Sequence, residues 1–130
     1  MKREKYLHKD LTDKIIKIFY EIYNEMGYGF LESVYEKSFA ILLNEYNLNG
    51  ELQVPINVYF RNHEVGKFRA DLIVNDLILV EFKACQALLP EHTAQVLNYL
   101  RATKYEVGLL LNFGPKPLVK RYIFDNERKK

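Results

Sequence analysis

The feature that most constrains this chain is a pair of apolar runs with three charges inside them, at residues 69–83. The runs read Arg-Ala-Asp-Leu-Ile-Val and Leu-Ile-Leu-Val-Glu-Phe-Lys, and a short Asn-Asp turn joins them. Nearly continuous apolar character is typical of strands that are covered on both faces of a sheet. Burying an unpaired charge is costly, so Asp71, Glu81 and Lys83 must pair with one another, with a metal or with solvent in a cleft. The sequence therefore predicts either an internal ion-pair cluster or a catalytic site.

Strand register is the first test of the catalytic alternative. A strict two-residue loop would pair Asp71 with Val80, and Asp71 would then face away from Glu81. One additional loop or bulge residue puts Asp71 directly opposite Glu81. Because a site needs the second register, we predict a three-residue loop or a bulge.

The composition fits an ordinary globular protein. At 130 residues we expect one domain over residues 1–130, with flexible ends at 1–9 and 125–130. Nineteen Lys and Arg against seventeen Asp and Glu give a net charge of +2, which neither demands nor excludes nucleic acid. The one cysteine, Cys85, excludes an internal disulfide, and no Cys/His spacing suits structural zinc. The N-terminus lacks an apolar signal core and no run reaches membrane-spanning length, so we expect a cytoplasmic protein.

Hydrophobic periodicity predicts three helices and five strands. Helices are expected from about Leu11 to Met26, Leu31 to Tyr46 and Glu91 to Lys104, and strands at Glu51 to Arg61, Val65 to Val74, Leu77 to Ala84, Glu106 to Phe113 and Leu118 to Phe124. Pro55 implies an edge position or a bulge for the first strand. Hairpin-connected strands followed by a strand–helix–strand crossover predict an α/β fold, with a mixed central sheet flanked by helices.

Polar residues also occur on the predicted helices where apolar ones are expected. Glu32 lies inside the apolar stripe of the second helix, and Glu36 lies at its edge. Glu32 either approaches the hairpin charges or reaches solvent at the helix start, where a carboxylate favours the helix dipole. Gln95 and Tyr99, one turn apart on the third helix, either flank a site or belong to a core-facing surface with one satisfied amide.

The order helix, three strands, helix and strand, with Asp71 on the second strand and Glu81-Phe-Lys83 on the third, resembles the PD-(D/E)xK nuclease superfamily. The run Gly29-Phe-Leu-Glu32-Ser-Val-Tyr35 is similar to the pattern of the GxxExxY proteins assigned to that superfamily. The resemblance covers about residues 27–124, and the usual proline before the aspartate is alanine here. It implies a restriction-endonuclease-like α-β-β-β-α-β core with an extra N-terminal helix.

The resemblance also implies a Mg²⁺-dependent nuclease that hydrolyses phosphodiester bonds in DNA or RNA, with Mn²⁺ as a substitute ion. Hard Mg²⁺ prefers oxygen ligands, few of them from protein. The expected ligands are Asp71, Glu81, the backbone carbonyl of Phe82 and Glu32. Lys83 would orient the attacking water or stabilise developing negative charge.

Substrate contacts are expected around these residues. In exonuclease-like branches of the superfamily a Gln-x-x-x-Tyr pair flanks the active site, which implies that Gln95 acts in catalysis and Tyr99 in substrate binding. Basic side chains at Lys67, Arg69 and Arg101 would contact phosphates, although each is by default a solvated surface charge.

Two other functions stay open at this point. A catalytically silent nucleic-acid-binding or assembly module would keep the fold, and the small size of the chain favours it. The intact Asp71, Glu81 and Lys83 argue against it. A structural or oligomeric domain would use the three charges as an ion-pair cluster. A nuclease this small often needs a dimer to embrace a duplex, so we expect nucleic acid as the partner, DNA before RNA, and a homodimer as one arrangement.

Overall fold

The computed structural model describes residues 7–129 and has the predicted order of elements. The elements are α1 (Lys9–Met26), α2 (Glu32–Glu45), β1 (Gly50–Phe60), β2 (His63–Val74), β3 (Ile78–Lys83), α3 (Pro90–Ala102), β4 (Val107–Phe113), β5 (Pro117–Ile123) and a 3₁₀ turn (Asn126–Lys129). The strands form one sheet in the order β1-β2-β3-β4-β5, antiparallel except for the parallel pair β3–β4. The mixed α/β fold with an additional N-terminal helix is therefore confirmed. Within residues 7–129 no helix is both long and apolar enough to cross a membrane.

Two hydrophobic cores lie on opposite faces of the sheet. Helices α1 and α2 cover one face with Phe19, Tyr35 and Phe39, and α3 covers the other with Val96 and Leu100. Every residue of β4 is buried, as expected of a continuous apolar run between two layers of helix. Strand β1 lies at the edge of the sheet, where its proline costs no ladder hydrogen bond in the interior.

The hairpin between β2 and β3 has the register that a site requires. Val74 pairs with Ile78, so the loop has three residues, as predicted. Its first two residues, Asn75 and Asp76, have φ angles of 52° and 54°. Asn and Asp tolerate this left-handed conformation better than most residues do. The N–H of Leu77 closes the turn by donating to the carbonyl of Val74 at 3.0 Å.

The regular alternation of β2 side chains between the two cores is interrupted at Asp71. Ala70 and Leu72 are two residues apart and should share a face, yet Ala70 packs in the α3 core and Leu72 in the core under α1 and α2. Opposite Asp71, Gln53 has a φ of 54° and the ladder skips that pair. The β1–β2 hairpin thus turns about its axis at this position, and its outer half extends beside α3.

The ends that were predicted to be flexible, residues 1–9 and 125–130, lie partly outside the described residues, and their flexibility stays a prediction. Residues 1–6 and 130 lie outside the described residues, whereas Lys9 already belongs to α1. The ammonium of Lys129 donates to the carbonyls of Thr103 at 2.8 Å and Tyr105 at 2.7 Å. These contacts join distant parts of the chain, so local composition does not reveal them.

Candidate active site

Asp71 and Glu81 are held by each other's strand through backbone amides. The N–H of Asp71 donates to Oε2 of Glu81 at 2.8 Å, and the N–H of Phe82 donates to Oδ2 of Asp71 at 2.8 Å. The last paired residues of the β2–β3 ladder are Leu72 and Val80. The two carboxylates therefore accept hydrogen bonds from backbone amides just beyond the end of the ladder. These hydrogen bonds fix the carboxylates side by side.

Both carboxylates are costly to ionise in this position. Burial and, next, the charge of Asp71 raise the pKa of Glu81 to about 8, despite the lowering effects of the Asp71 N–H and of Lys83. Burial also raises the pKa of Asp71, although the amide of Phe82 and the charge of Lys83 lower it. Two acids that resist ionisation side by side are typical of a site that receives a positive charge.

Lys83 and Glu32 complete the group of charges predicted from the sequence. Lys83 is half-buried on the same face of β3 as Glu81, and its charge lowers the pKa of Glu32 as well as those of Asp71 and Glu81. Partial burial raises the pKa of Glu32, and the backbone amide of Ala84 lowers it. Glu32 is more exposed than its place in the apolar stripe predicted, because it begins α2 at the rim of the site.

The segment before α2 explains why Glu32 reaches this rim. Gly29 has a φ of 112°, which side-chain-bearing residues rarely adopt. The hydroxyl of Tyr35 donates to the carbonyl of Gly27 at 2.7 Å, and its ring stacks on Phe113 at 4.0 Å between centroids. A glycine turn and a buried tyrosine thus fix the start of the helix, and the glutamate between them points toward the carboxylate pair.

Two further side chains lie at the site. Nothing in the sequence indicated Gln53, and the apolar stripe placed Glu36 only at its edge. The amide nitrogen of Gln53 donates to Oε1 of Glu36 at 2.8 Å and to Oδ1 of Asp71 at 3.4 Å. Burial and the charges of Asp71 and Glu32 raise the pKa of Glu36, and the Gln53 hydrogen bond lowers it. The spacing of Glu36, one turn after Glu32, was a usable signal. The sequence carried none for Gln53, which lies on an exposed edge strand.

Gln95 and Tyr99 approach the site from α3. The Gln95 amide donates to the hydroxyl of Tyr99 at 3.1 Å. Burial raises the pKa of Tyr99, and the charges of Glu81 and Asp71 raise it as well. The Tyr99 hydroxyl therefore lies within electrostatic reach of the carboxylate pair, and this predicted helix pair borders the site.

The basic residues expected near substrate lie in two different places. Arg101 lies on the same side of α3 as Tyr99, with its guanidinium 4.9 Å from the ring centre of Phe124. Lys67 and Arg69 alternate with Phe68 along β2 and therefore lie on the face opposite to Phe68 and Tyr99. Their expected contact with phosphates stays a prediction, and Lys67 and Arg69 would make it on the face of β2 opposite to Tyr99.

Asn112 is a structural residue of the site that the sequence analysis missed. It is fully buried, its Oδ1 accepts the N–H of Cys85 at 3.0 Å, and its Nδ2 donates to the carbonyl of Cys85 at 3.0 Å. The side chain thus makes the pair of hydrogen bonds that a neighbouring strand would make with this backbone. It fixes the segment that follows Lys83 at the end of β3. A polar residue within the apolar run of β4 was the available signal.

The oxygen donors fit a metal that keeps much of its own water. Within residues 7–129, no three acidic, His or Cys side chains form a complete metal cluster. Mg²⁺ is usually bound through one or two carboxylates, with water and substrate phosphate in its other positions. Asp71 and Glu81 fit such an open site, since a dication would also favour the ionised form that burial disfavours.

Comparison with known proteins agrees with this geometry. A family model of the PD-(D/E)XK nuclease superfamily matches residues 9–122. A solved structure of SSO0001 superimposes with a TM-score of 0.55 at 21% identity, over 72% of this chain and 50% of that chain. The present chain thus spans half of SSO0001, and the likeness at this identity shows the fold alone. No curated protein matches the chain.

The family match covers nearly all of the elements that build the site. It begins at the first residue of α1 and ends within β5, so it includes both cores and the carboxylate pair. Nucleases of this kind act on nucleic acid and generally use divalent metal ions. The chain belongs to the PD-(D/E)XK nuclease superfamily.

Proposed function

We propose that this protein is a Mg²⁺-dependent nuclease that hydrolyses phosphodiester bonds in DNA. The observation that carries the proposal is the carboxylate pair of Asp71 and Glu81, fixed by reciprocal amide hydrogen bonds beside the ammonium of Lys83. An ion-pair cluster that served stability alone would be expected to lower the pKa of a buried carboxylate, whereas the pKa of Glu81 is raised.

The residues around the pair have complementary roles in this proposal. Asp71, Glu81, the carbonyl of Phe82 and Glu32 would hold Mg²⁺, with Mn²⁺ as a substitute. When bound, the ion supplies Lewis-acid polarisation of the phosphate and neutralises charge in the transition state. The ammonium of Lys83 orients the attacking water and stabilises the negative charge that develops on the phosphate oxygens.

Gln95 and Tyr99 position the substrate. The Tyr99 hydroxyl accepts a hydrogen bond from Gln95, so its own proton is free to donate to a phosphate oxygen. Its raised pKa keeps that proton in place at neutral pH. The guanidinium of Arg101, braced on Phe124, supplies a cation farther along the same helix.

The spacing of Gly29, Glu32 and Tyr35 supports a finer placement among the GxxExxY proteins, because Gly29 and Tyr35 fix the start of α2 and Glu32 lies between them at the rim of the site. A homodimer that embraces a duplex is a further prediction. Analytical ultracentrifugation with and without duplex DNA measures it.

A cleavage assay with matched variants tests the function. Wild type, Asp71→Asn and Lys83→Met are incubated with labelled single- and double-stranded DNA and RNA, in Mg²⁺, in Mn²⁺ and in a chelator. We expect metal-dependent cleavage by wild type and a loss of at least about 100-fold in both variants. Asp13→Asn and Lys14→Met, at exposed positions on α1, serve as controls that keep wild-type activity.

Two results would contradict the proposal. Cleavage that survives Asp71→Asn would come from a contaminant. Salt-dependent binding of nucleic acid without metal-dependent cleavage would identify a binding module that has kept the nuclease fold. In that case Mg²⁺ would also raise the melting temperature of wild type by no more than it raises that of Asp71→Asn.

A further inference from the structure

An open groove runs along one side of α3, beside the candidate active site. It has a volume of about 790 Å³, which is within the range of pockets that hold small organic ligands. Its lining includes Tyr59 and Phe68 from the outer half of the β1–β2 hairpin, and Gln95, Asn98, Tyr99 and Arg101 from α3. We call it the aromatic groove.

The aromatic groove presents partly exposed rings. Tyr59 is 61% exposed and Phe68 is 48% exposed, and the Phe68 ring lies 5.8 Å from that of Tyr99. Amide side chains at Asn57, Gln95 and Asn98 surround these rings. Ring faces bordered by amides suit a flat, polar-edged group such as a nucleobase, because the rings can stack on it while the amides pair with its edge.

The charges along α3 favour one orientation of such a ligand in the groove. Arg101 lies toward the C-terminal end of α3 and Glu91 toward its N-terminal end, and both line the aromatic groove. Phosphate is therefore favoured near Arg101 and disfavoured near Glu91. Gln95 and Tyr99 line the groove, and the charges of Glu81 and Asp71 act on Tyr99, so the groove lies beside the candidate active site.

We propose that the aromatic groove binds unpaired nucleobases of the substrate strand, so that the enzyme acts on single-stranded nucleic acid or on the unpaired ends of duplexes. This inference rests on the nuclease function proposed above. Bases inside a duplex are stacked on one another and their faces cannot reach a protein ring, whereas bases of a single strand can. The rings stack on the bases without selecting their sequence, and the groove guides the strand toward Asp71 and Glu81.

Binding measured without cleavage tests the aromatic groove separately from catalysis. Fluorescence anisotropy in a chelator, with Asp71→Asn as the parent protein, compares a single strand of about 12 nucleotides with its blunt duplex and with a tailed duplex. We expect the single strand and the tailed duplex to bind at least about five-fold more tightly than the blunt duplex. Adding Tyr59→Ala should remove this preference, and Tyr59→Phe should keep it.

Tyr20→Ala is the matched control, because Tyr20 is a partly exposed aromatic residue of α1 on the other side of the sheet. Equal binding of blunt and single-stranded DNA, no binding to any oligonucleotide, or equal behaviour of the Tyr59→Ala and Tyr20→Ala proteins would overturn the inference. A dimer in sedimentation that Tyr59→Ala dissociates, with nucleic-acid binding unchanged, would show instead that a second copy covers the groove. Metal-dependent cleavage of blunt duplexes alone would retain the proposed nuclease and still reject this substrate class.

Discussion

Replacing Glu81 with glutamine should make the protein more stable at neutral pH while abolishing its activity. The side chain is 2% exposed and accepts the N–H of Asp71, a hydrogen bond that the glutamine carbonyl can also accept. Glu81 has a pKa of about 8 in the folded chain against an ordinary value of 4.5. Glutamine keeps the shape and removes the charge that burial disfavours.

The magnitude follows from the two pKa values. The folded state binds the Glu81 proton more tightly than the unfolded state does, so stability is fully present below pH 4.5 and is lost as pH rises toward 8. The loss amounts to roughly 3 kcal/mol at pH 7 and about 5 kcal/mol well above pH 8. Glu81→Gln avoids this loss, so its melting temperature at pH 7 should exceed that of wild type by roughly 10 °C.

Calorimetric melting of wild type and Glu81→Gln between pH 4.5 and 9, in a chelator, measures the difference. The difference in melting temperature between Glu81→Gln and wild type should be small at pH 4.5 and increase with pH. Glu25→Gln, at an exposed position on α1, should stay within about 0.5 kcal/mol of wild type at every pH. A variant less stable than wild type at pH 7, or a gap independent of pH, would refute the argument. Millimolar Mg²⁺ should narrow the gap, because it stabilises only the carboxylate form.

Substitutions at three further positions separate backbone from side-chain effects. Gly29→Ala should lower the free energy of unfolding by about 1–2 kcal/mol because of the φ of 112°, as urea titration would show; an unchanged midpoint would contradict this. Asn112→Ala leaves the N–H and carbonyl of Cys85 without their partner and should cost about 3 kcal/mol in the same titration, with a loss of cleavage activity; a cost below 1 kcal/mol would count against it. Gln53→Gly should be more stable than Gln53→Ala by about 1 kcal/mol, because only glycine relieves the φ of 54°. Both Gln53 variants should reduce activity equally through the lost hydrogen bond to Asp71, and unequal cleavage rates would assign that effect to the backbone.

The parts of the fold that were predictable from sequence are those in which local periodicity and burial agree. Apolar runs in β3 and β4 indicated strands covered on both faces, and the spacing of apolar residues located the three α-helices found within residues 7–129. The register of the β2–β3 hairpin followed from one physical requirement, that Asp71 and Glu81 share a location. Chemistry constrained geometry there because buried charges must have partners.

The remaining features depend on contacts between distant segments. The turn of the hairpin at Gln53 and Asp71 moved Lys67 and Arg69 away from the aromatic groove, and no local propensity predicts a left-handed glutamine within a strand. The docking of Lys129 on two carbonyls depends equally on the finished fold. Sequence patterns thus indicated the charged residues that the fold brings together, and they left the surroundings of those residues undetermined.

The three-residue loop between β2 and β3 has an evolutionary consequence. It sets the pairing of Val74 with Ile78, and the same register places Asp71 beside Glu81 three residues farther along each strand. Removing one loop residue would therefore turn the core side chains outward and separate the carboxylates in a single step. A descendant of this protein that folds at all inherits the geometry of the pair. A descendant can then lose the proposed activity by replacing an acidic side chain of the pair. Because the backbone geometry is kept, one substitution back to the acid would restore the pair.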